Sequence, residues 1–368
     1  MNHEGNDMDA QIADNLYRQN YNAVDLTKFL CSILVVTIHA GPRGGTQRAD
    51  AINYFLRNYL ARIAIPFFFV MAGYFLFRKT TLAEFDLKPI KKYLLRMLRL
   101  YLIWSVIYLP MALYDLWMEE SGVVSVALHY VRNVLFVGSY VQLWYLNALI
   151  VAIVMVSFLL YRNVRIWKIL VLAAGLYVCG LLGQSWFGLI APLKERAPHI
   201  WFLLRQLKKV MISTRNGVFE GFLFVSMEMC FAYFGVRIRK AAAFTLFAGC
   251  MVLMYLELTA LESIHFIREY SMFLFLVPAT FFLCAFLLQV ELPDHPIYRQ
   301  LRKVSILVYF LHIFVKQSLG GLFHAAGILH PAPLLSFSLI LLLSVLTAMV
   351  IIRLSDRPKF SWLKQLYG

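Results

Sequence analysis

Long apolar runs separated by short polar loops dominate the chain. A helix needs about 20 mostly apolar residues to cross the hydrocarbon core of a bilayer, and runs of about this length recur along the sequence. The pattern predicts ten transmembrane helices, at residues 24–41, 55–77, 98–117, 141–161, 166–183, 216–236, 241–260, 270–290, 304–325 and 334–353. Residues 123–140 are predicted to hold an additional interfacial helix. The predicted fold class is an all-α, polytopic membrane protein with about ten transmembrane helices.

Polar segments mark the two ends of one membrane domain. Residues 1–20 are predicted to form a polar N-terminal tail, since they lack the basic region and the cleavage site of a signal peptide. Residues 21–355 form the predicted membrane domain, and residues 356–368 a cytoplasmic C-terminal tail. Hydrophobic residues make up 61% of the chain and charged residues 15%, against about 45–50% and about 25% in a soluble domain. No separate soluble domain is predicted.

Positive charge is concentrated in alternate loops. The segment 78–99 contains seven Lys or Arg residues, and basic clusters follow the fourth, sixth, eighth and tenth predicted helices. The positive-inside rule then places both termini in the cytoplasm and predicts a multi-pass protein of the cytoplasmic membrane. Topology and contact with the lipid bilayer account for the net charge of +15, so no nucleic-acid partner is predicted.

The loop at residues 184–215 departs from this pattern, because it has six Lys or Arg residues on the side opposite to the other basic loops. We interpret it as an interfacial belt, since Trp residues are common at the membrane surface. A cover over an acceptor site is the alternative. The five cysteines are scattered through apolar spans without a CxxC pair, so neither a disulfide framework nor a metal site is predicted.

The first predicted helix carries three ionisable residues that are costly inside a bilayer. Lys28 and His39 are eleven residues apart, which places them on one helix face about 16 Å apart along the axis. Asp25 lies three residues before Lys28 on the same face and can pair with it. Intramembrane ionisable groups indicate function by default. The alternative is that Lys28 and His39 anchor the helix at the two membrane surfaces.

A further ionisable residue inside the membrane is Arg62, in the second predicted helix. A buried arginine needs an anionic partner. Glu220, Glu228 and Glu257 are the candidates, and the sequence leaves the choice among them open.

Two further helices carry polar residues at helical spacing. Arg96 and Arg99 are separated by three residues at the predicted cytoplasmic mouth of the third helix, where two guanidinium groups suit a phosphate or diphosphate. Ordinary positive-inside flanking is the alternative. In the ninth helix, His312 and Tyr309 lie on roughly one side, and a satisfied core histidine is the alternative to a functional one.

In this order, the elements resemble the acyltransferase 3 family of integral membrane acyltransferases over roughly residues 20 to 355. The first-helix motif of a basic residue, ten residues and a histidine is matched by Lys28 and His39, and the Arg-x-x-Arg motif by Arg96 and Arg99. The other matching positions are Arg62, Pro66, Phe67, Phe68, Gly73 and Tyr74, "LWYLNALI" from Leu143, "RNGVFEGFLF" from Arg215, and Ser305, Tyr309 and His312.

The resemblance implies transfer of an acyl group, usually acetyl, from cytoplasmic acyl-CoA to a hydroxyl of an extracytoplasmic glycan or related envelope carbohydrate. Carried over to this chain, it makes His39 the catalytic base or acyl-transfer residue. Lys28, with its neighbour Asp25, would line the CoA path or steady the active geometry. Arg96 and Arg99 would bind the CoA phosphates. No metal is implied.

General chemistry adds to this assignment. A neutral histidine can take the proton of an attacking hydroxyl, and a buried cation such as Arg62 can stabilise the developing oxyanion. Glu228, Tyr309 and His312 are further predicted pore residues.

The chain departs from the family pattern at several positions. Lys28 stands where many members have arginine, and Ala72 where serine is frequent. The Asp-x-x-Lys form and the "RNGVF" segment are more similar to the membrane domain of the vancomycin-resistance serine racemases, in which this fold is associated with supplying L-serine across the membrane. A transporter or binding module for a small amino acid such as L-serine is therefore the alternative function.

Overall fold

Helices form along nearly all of the apolar runs in the computed structural model of the chain. The structure describes residues 20–368 except residues 43, 45, 79–84, 120–121 and 329–330, and these described residues form no strand. The α-helices longer than one turn are α1 (Asn22–Ala40), α2 (Gln47–Asn58), α3 (Ala64–Phe77), α4 (Leu87–Glu119), α5 (Val123–Phe136), α6 (Trp144–Tyr161), α7 (Ile166–Leu181), α8 (Pro198–Met211), α9 (Phe222–Met227), α10 (Met229–Phe234), α11 (Lys240–Ser263), α12 (Leu276–Leu287), α13 (Pro296–Ala325) and α14 (Pro333–Ser355). The all-α prediction is confirmed.

Shorter helical segments lie between or after these helices. They are the 3₁₀ segments Leu60–Ile63, Phe187–Leu189 and Pro358–Leu366, the single α-turn Leu193–Arg196 and the π-helix Gly217–Gly221.

Eight helical stretches within the described residues are long and apolar enough to cross a membrane. They are Asn22–Ala40, Gln47–Phe77, Leu87–Glu119, Trp144–Tyr161, Gly217–Phe234, Lys240–Ser263, Pro296–Ala325 and Pro333–Ser355. The chain is thus a polytopic membrane protein, as predicted. The other two predicted spans coincide with the shorter apolar helices α7 and α12, and the predicted interfacial helix with α5.

The predicted span 270–290 is longer than α12 because backbone groups before Leu276 are bound outside a helix. The N–H groups of Leu274 and Phe275 donate to the Glu257 carboxylate, with N···O distances of 2.8 and 3.0 Å. The indole Nε1 of Trp186 donates to the same carboxylate at 2.7 Å. Glu257 therefore holds a non-helical segment against α11. Its buried carboxylate accepts hydrogen bonds from this segment and from Trp186.

Two of the membrane-spanning stretches are interrupted. The stretch Gln47–Phe77 contains the 3₁₀ segment between α2 and α3, and the stretch Gly217–Phe234 begins with the π-helix. Gly217 allows this π-helix to lie against α6, since a Cβ there would be 2.5 Å from the Ala148 carbonyl oxygen. Irregular backbone at membrane depth is tolerated only where protein or a water-filled cavity surrounds it. Both interruptions border the central cavity described below.

α1 and α13 form the most extensive helix pair, and side chains of α4 contact α13. The rings of Trp104 and Phe310 stack with centroids 5.0 Å apart. The Tyr108 hydroxyl donates to the Phe310 carbonyl oxygen at 2.6 Å. These contacts fix the side of α13 that faces the interior.

The predicted C-terminal tail, residues 356–368, is folded against the helices. Trp104 Nε1 donates to the Leu366 carbonyl oxygen at 3.0 Å, and the hydroxyls of Ser355 and Tyr367 lie 2.7 Å apart. Leu363 and Leu366 are buried. The segment therefore forms part of the packed structure, and its side of the membrane stays a prediction.

Candidate active site

A cavity of about 580 Å³ lies near the N-terminal end of α1, between α1, α3, α4, α6 and α13. Five cationic side chains and one carboxylate line it, namely Lys28, Arg78, Arg96, Arg302, Lys303 and Asp25. Aromatic rings form much of the remaining wall. We refer to this space as the cationic cavity, and its excess of positive charge suits a ligand with several negative charges.

Asp25 holds two of these cations from two different helices. Its carboxylate oxygens lie 3.6 Å from Lys28 Nζ and 3.5 Å from Arg302 Nη1. Lys28 Nζ also lies 4.5 Å from the centroid of the Phe75 ring. The predicted contact of Asp25 with Lys28 is confirmed. The contact with Arg302 was not predicted, and it ties α1 to α13 at the cavity wall.

The two arginines of α4 that were predicted to bind phosphate together lie in different surroundings. Arg96 lines the cationic cavity, and its Nη2 donates to the Gly368 carbonyl oxygen at 3.2 Å. Both side chains are exposed, but Arg99 lies outside the cavity lining. A spacing of three residues rotates a side chain by about 60° around the helix, which is enough here to turn Arg99 away. The predicted phosphate pair is thus one cavity residue and one outer residue.

Three cations of this cavity, Arg78, Arg302 and Lys303, were missed as site residues because they were interpreted as basic loop residues. Arg78 lies 4.7 Å from the centroid of the Tyr21 ring, and its Nη1 has no hydrogen-bond partner among the described residues. Arg302 begins the face of α13 that continues through Ser305, Tyr309 and His312. That spacing was a readable signal for Arg302, whereas no sequence signal singled out Arg78.

Near the C-terminal end of α1, His39 meets a second histidine. The ring centroids of His39 and His312 are 5.3 Å apart. His312 is fully buried, and its Nδ1 lies 3.2 Å from the Val308 carbonyl oxygen. A carbonyl only accepts, so this contact places the proton of a neutral ring on Nδ1 and leaves a lone pair on Nε2. Nε2 has no hydrogen-bond partner within the described part of the chain.

The backbone around His39 is held by α13. Lys316 Nζ donates to the His39 carbonyl oxygen at 2.7 Å. This carbonyl is in the last turn of α1, where carbonyls lack helical partners and favour a cation. The contact fixes the end of α1 against the helix that carries His312.

His39 lines a small space of about 30 Å³, here called the central cavity. Arg62, Arg215 and Glu220 line it as well, together with Trp144 and Tyr309. Arg62 reaches it from the 3₁₀ segment and Glu220 from the π-helix, so the two interruptions bring opposite charges to one place. Of the three predicted partners of Arg62, Glu220 shares this cavity, although no ion pair forms between them.

The guanidinium groups of the central cavity keep donors available. Arg62 Nη2 donates to Asn58 Oδ1 at 3.2 Å, and Arg215 lies over the Trp144 ring with Cζ 4.7 Å from its centroid. Nε of both arginines is buried without a hydrogen-bond partner among the described residues. Arg215 was predicted only as the first residue of the family-like segment "RNGVFEGFLF", and its position in the site was missed.

Tyr309 connects the two cavities, since it lines both of them. Its hydroxyl donates to the Gln142 carbonyl oxygen at 2.5 Å. The predicted pore residue thus stands in the wall between the cationic cavity and the histidine pair.

A third space, of about 420 Å³, lies beyond the central cavity between α4, α5 and the loop before α6. Trp144 and Arg215 line both spaces. The other charged or ionisable side chains of this polar cleft are Asp115, Glu119, His129, Arg132 and Tyr140. The Tyr140 hydroxyl donates to Asp115 Oδ2 at 2.9 Å and lies 3.3 Å from Gln317 Nε2. Gln317 follows Lys316, which places the cleft at the His39 end of α1.

Glu228 lies away from these three spaces. It separates α9 from α10, and both carboxylate oxygens are buried without a hydrogen-bond partner among the described residues. Gly73 of α3 approaches it closely, since a Cβ there would be 2.5 Å from Glu228 Cγ. The structure therefore brings Asp25, Lys28, His39, Arg62, Arg96 and Tyr309 to these adjoining cavities. His312 packs against His39 without lining them, and Arg99 and Glu228 lie away from them.

Comparison with known proteins shows the family of the chain. The model of an acyltransferase domain family, acyltransferase 3, matches residues 21–353. The chain belongs to the acyltransferase 3 family. As a family member it is a membrane protein of an acyltransferase group, and the match includes every predicted site residue. No solved structure matches the chain.

The curated relatives of this acyltransferase 3 protein are named as racemases. A serine/alanine racemase of Enterococcus gallinarum is 28% identical over 352 residues, covering 93% of this chain and 47% of that protein. An amino-acid racemase of Enterococcus faecalis is 26% identical over 354 residues, covering 92% and 47%. The chain thus spans about half the length of these relatives. The described residues contain no group of three or more His, Cys, Asp or Glu side chains that could hold a metal ion.

Proposed function

We propose that this acyltransferase 3 protein moves an acyl group from acyl-CoA, with acetyl-CoA as the expected donor, to a hydroxyl of an extracytoplasmic envelope carbohydrate. One observation supports the proposal above others. Tyr309 is shared by the cationic and central cavities, and Trp144 and Arg215 by the central cavity and the polar cleft. The cationic cavity, the central cavity and the polar cleft therefore adjoin one another in that order, which suits a donor site, a catalytic histidine and an acceptor site.

The cationic cavity is suited to the donor. CoA carries several phosphate charges, and Arg96, Arg302 and Arg78 offer guanidinium groups that form bidentate hydrogen bonds with phosphate. Aromatic walls can pack against an adenine ring and a pantetheine chain. The thioester would then extend past Tyr309 toward His39.

The central cavity holds groups for acyl transfer. His39, assisted by His312, takes the proton of the acceptor hydroxyl as its oxygen attacks the thioester carbonyl. Arg62 and Arg215 stabilise the resulting oxyanion with donors that are already in place. Collapse of this adduct breaks the carbon–sulfur bond, and the leaving thiolate takes the proton from the imidazolium. The products are an ester and CoA.

The polar cleft is suited to the acceptor. Trp144 and Tyr140 provide aromatic faces, and the carboxylates and amide of Asp115, Glu119 and Asn133 can bind hydroxyl groups. The predicted orientation, with both termini in the cytoplasm, puts this cleft outside and the cationic cavity inside. That orientation in the cytoplasmic membrane is part of the proposal.

Supply or binding of a small amino acid is the second candidate. The names of the racemase relatives favour it, and the mixed charges of the polar cleft could bind an ammonium and a carboxylate. Acyl transfer is preferred because five cations at the other cavity exceed what one amino-acid carboxylate needs.

Calorimetry of acetyl-CoA binding to the purified protein tests the proposal. We expect saturable binding that weakens about tenfold in Arg96→Gln, because one charge-assisted contact to phosphate is lost. Arg99→Gln is the matched control. It removes the same charge from a residue that is three positions further along α4 and lies outside the cavity lining.

Equal loss in both variants would indicate a general surface-charge effect and contradict the assigned donor site. Absence of acetyl-CoA binding, together with saturable L-serine uptake by vesicles, would replace acyl transfer with the amino-acid function.

A further inference from the structure

A separate apolar cavity lies on the His39 side of the molecule and has no role in the proposed transfer. Its volume is about 710 Å³, and α7, α8, the segment before the π-helix and residues 268–269 enclose it. Leu182, Leu204, Leu207, Met211 and Phe219 form its apolar wall. A volume of this size is in the range that holds a small-molecule ligand.

Cations surround this apolar cavity. Lys194, Arg205, Lys208 and Arg268 line it, with Glu269 as the one carboxylate among its described lining residues. Glu269 Oε2 accepts from Gln184 Nε2 at 3.2 Å and lies 3.4 Å from Ser213 Oγ. The carboxylate is thus held within the protein, and the rim keeps an excess of positive charge.

The arrangement along α8 favours a built site over a simple interfacial belt. Leu204, Arg205, Lys208 and Met211 follow one another at spacings of one, three and three residues, and all four line the cavity. Arg205, Lys208 and Lys209 are all exposed, but Lys209 lies outside the lining. A belt helix directs its cations away from its apolar face, whereas α8 turns two cations and four apolar side chains, Trp201, Leu204, Leu207 and Met211, toward the same space.

We propose that this cavity binds one anionic membrane lipid, with an acyl chain among the leucines and its phosphate on the cationic rim. A lipid combines an apolar chain with a negative group, which are the two properties that the cavity complements. The proposal also gives a reason for three of the six basic residues of the 184–215 loop, Lys194, Arg205 and Lys208, which the positive-inside rule does not account for.

The bound lipid would contact the segment that carries Arg215. Ile212 lines both the apolar cavity and the polar cleft, and its φ of 61° is in the left-handed region that a β-branched residue rarely adopts. Ser213 and Thr214 also line the cavity, and Arg215 follows in the central cavity. Occupancy by lipid therefore stabilises a strained segment next to the histidine pair.

Native mass spectrometry of the full chain, titrated with phosphatidylglycerol or phosphatidylcholine, tests the lipid site. We expect one phosphatidylglycerol to bind with clear preference. Arg205→Gln combined with Lys208→Gln should weaken that binding roughly thirtyfold, because two interfacial cations are lost. Lys209→Gln is the control and should bind as the wild type does. Equal loss in the control, or no preference for phosphatidylglycerol, would overturn the proposal.

Two further measurements separate lipid binding from binding of a free anion. Glycerol phosphate should fail to compete, since it lacks the chain, and effective competition would reduce the site to an anion site. Cys179→Trp, which fills the cavity from α7 and keeps the cations, should lower phosphatidylglycerol binding.

Hydrogen exchange of residues 211–216 should slow when phosphatidylglycerol is added, and unchanged exchange would remove the link to Arg215.

Discussion

The cationic cavity and the polar cleft lie at opposite ends of the interface between α1 and α13, and their charges differ. Five cations and one carboxylate line the first, whereas Asp115 and Glu119 stand among the basic groups of the second. A cavity with one dominant sign attracts a multiply charged ligand of opposite sign. A cleft with both signs and aromatic rings selects a ligand by the positions of its hydrogen-bonding groups.

The difference indicates that donor and acceptor are recognised by different physical means. Donor binding at the cationic cavity should depend strongly on ionic strength, because the interaction involves several charges at a partly open surface. Acceptor binding at the polar cleft should depend less on salt. The histidine pair lies between the two and belongs to neither binding site.

The largest expected effect comes from the histidine pair. His39→Asn should lower the rate of acyl transfer by about 10²–10⁴-fold, because the group that accepts the hydroxyl proton is lost. The dissociation constant of acetyl-CoA should stay close to that of the wild type, since His39 does not line the cationic cavity. Release of CoA, followed with a thiol reagent, and calorimetry measure the two quantities.

His312→Asn completes this test. A comparable loss of rate would assign proton transfer to the pair, and a normal rate would leave His39 acting alone. Wild-type turnover in both variants would remove the histidines from the chemistry. Thermal unfolding of each variant checks that a lost rate does not come from a lost fold.

A smaller effect is expected at the cationic cavity. Arg302→Gln should weaken acetyl-CoA binding by about tenfold, because a phosphate contact is lost. The same variant should bind a short acetyl thioester that lacks phosphates as the wild type does. Equal weakening for both donors would mean that Arg302 acts by holding Asp25 and the α1–α13 contact.

The sequence predicted much of this site because helical spacing carries information over many residues. Lys28 and His39 lie on one face of α1 and reach the connected cavities, and Asp25 contacts Lys28 as expected. Spacing could not tell Arg96 from Arg99, since a rotation of about 60° separates a position that lines the cavity from one that does not.

Helical spacing cannot predict contacts between segments that are distant in the sequence. Arg62 and Glu220 meet in the central cavity because a 3₁₀ segment and a π-helix interrupt two membrane stretches. The predicted span 270–290 became a short helix because Glu257 binds two backbone N–H groups ahead of it. Both features depend on tertiary packing, which overrides local apolar pattern.

The smallest expected effect is at the polar cleft. Arg132→Gln removes a partly buried cation from the cleft lining, and loss of such a charge changes binding by up to about fivefold. We expect a higher KM for the acceptor, an unchanged acetyl-CoA dissociation constant and an unchanged rate at saturating acceptor. Transfer of labelled acetyl groups to an envelope carbohydrate fraction of increasing concentration measures this. A change in the dissociation constant of acetyl-CoA instead would indicate that the cationic cavity and the polar cleft act as one site, and would contradict the distinction between them.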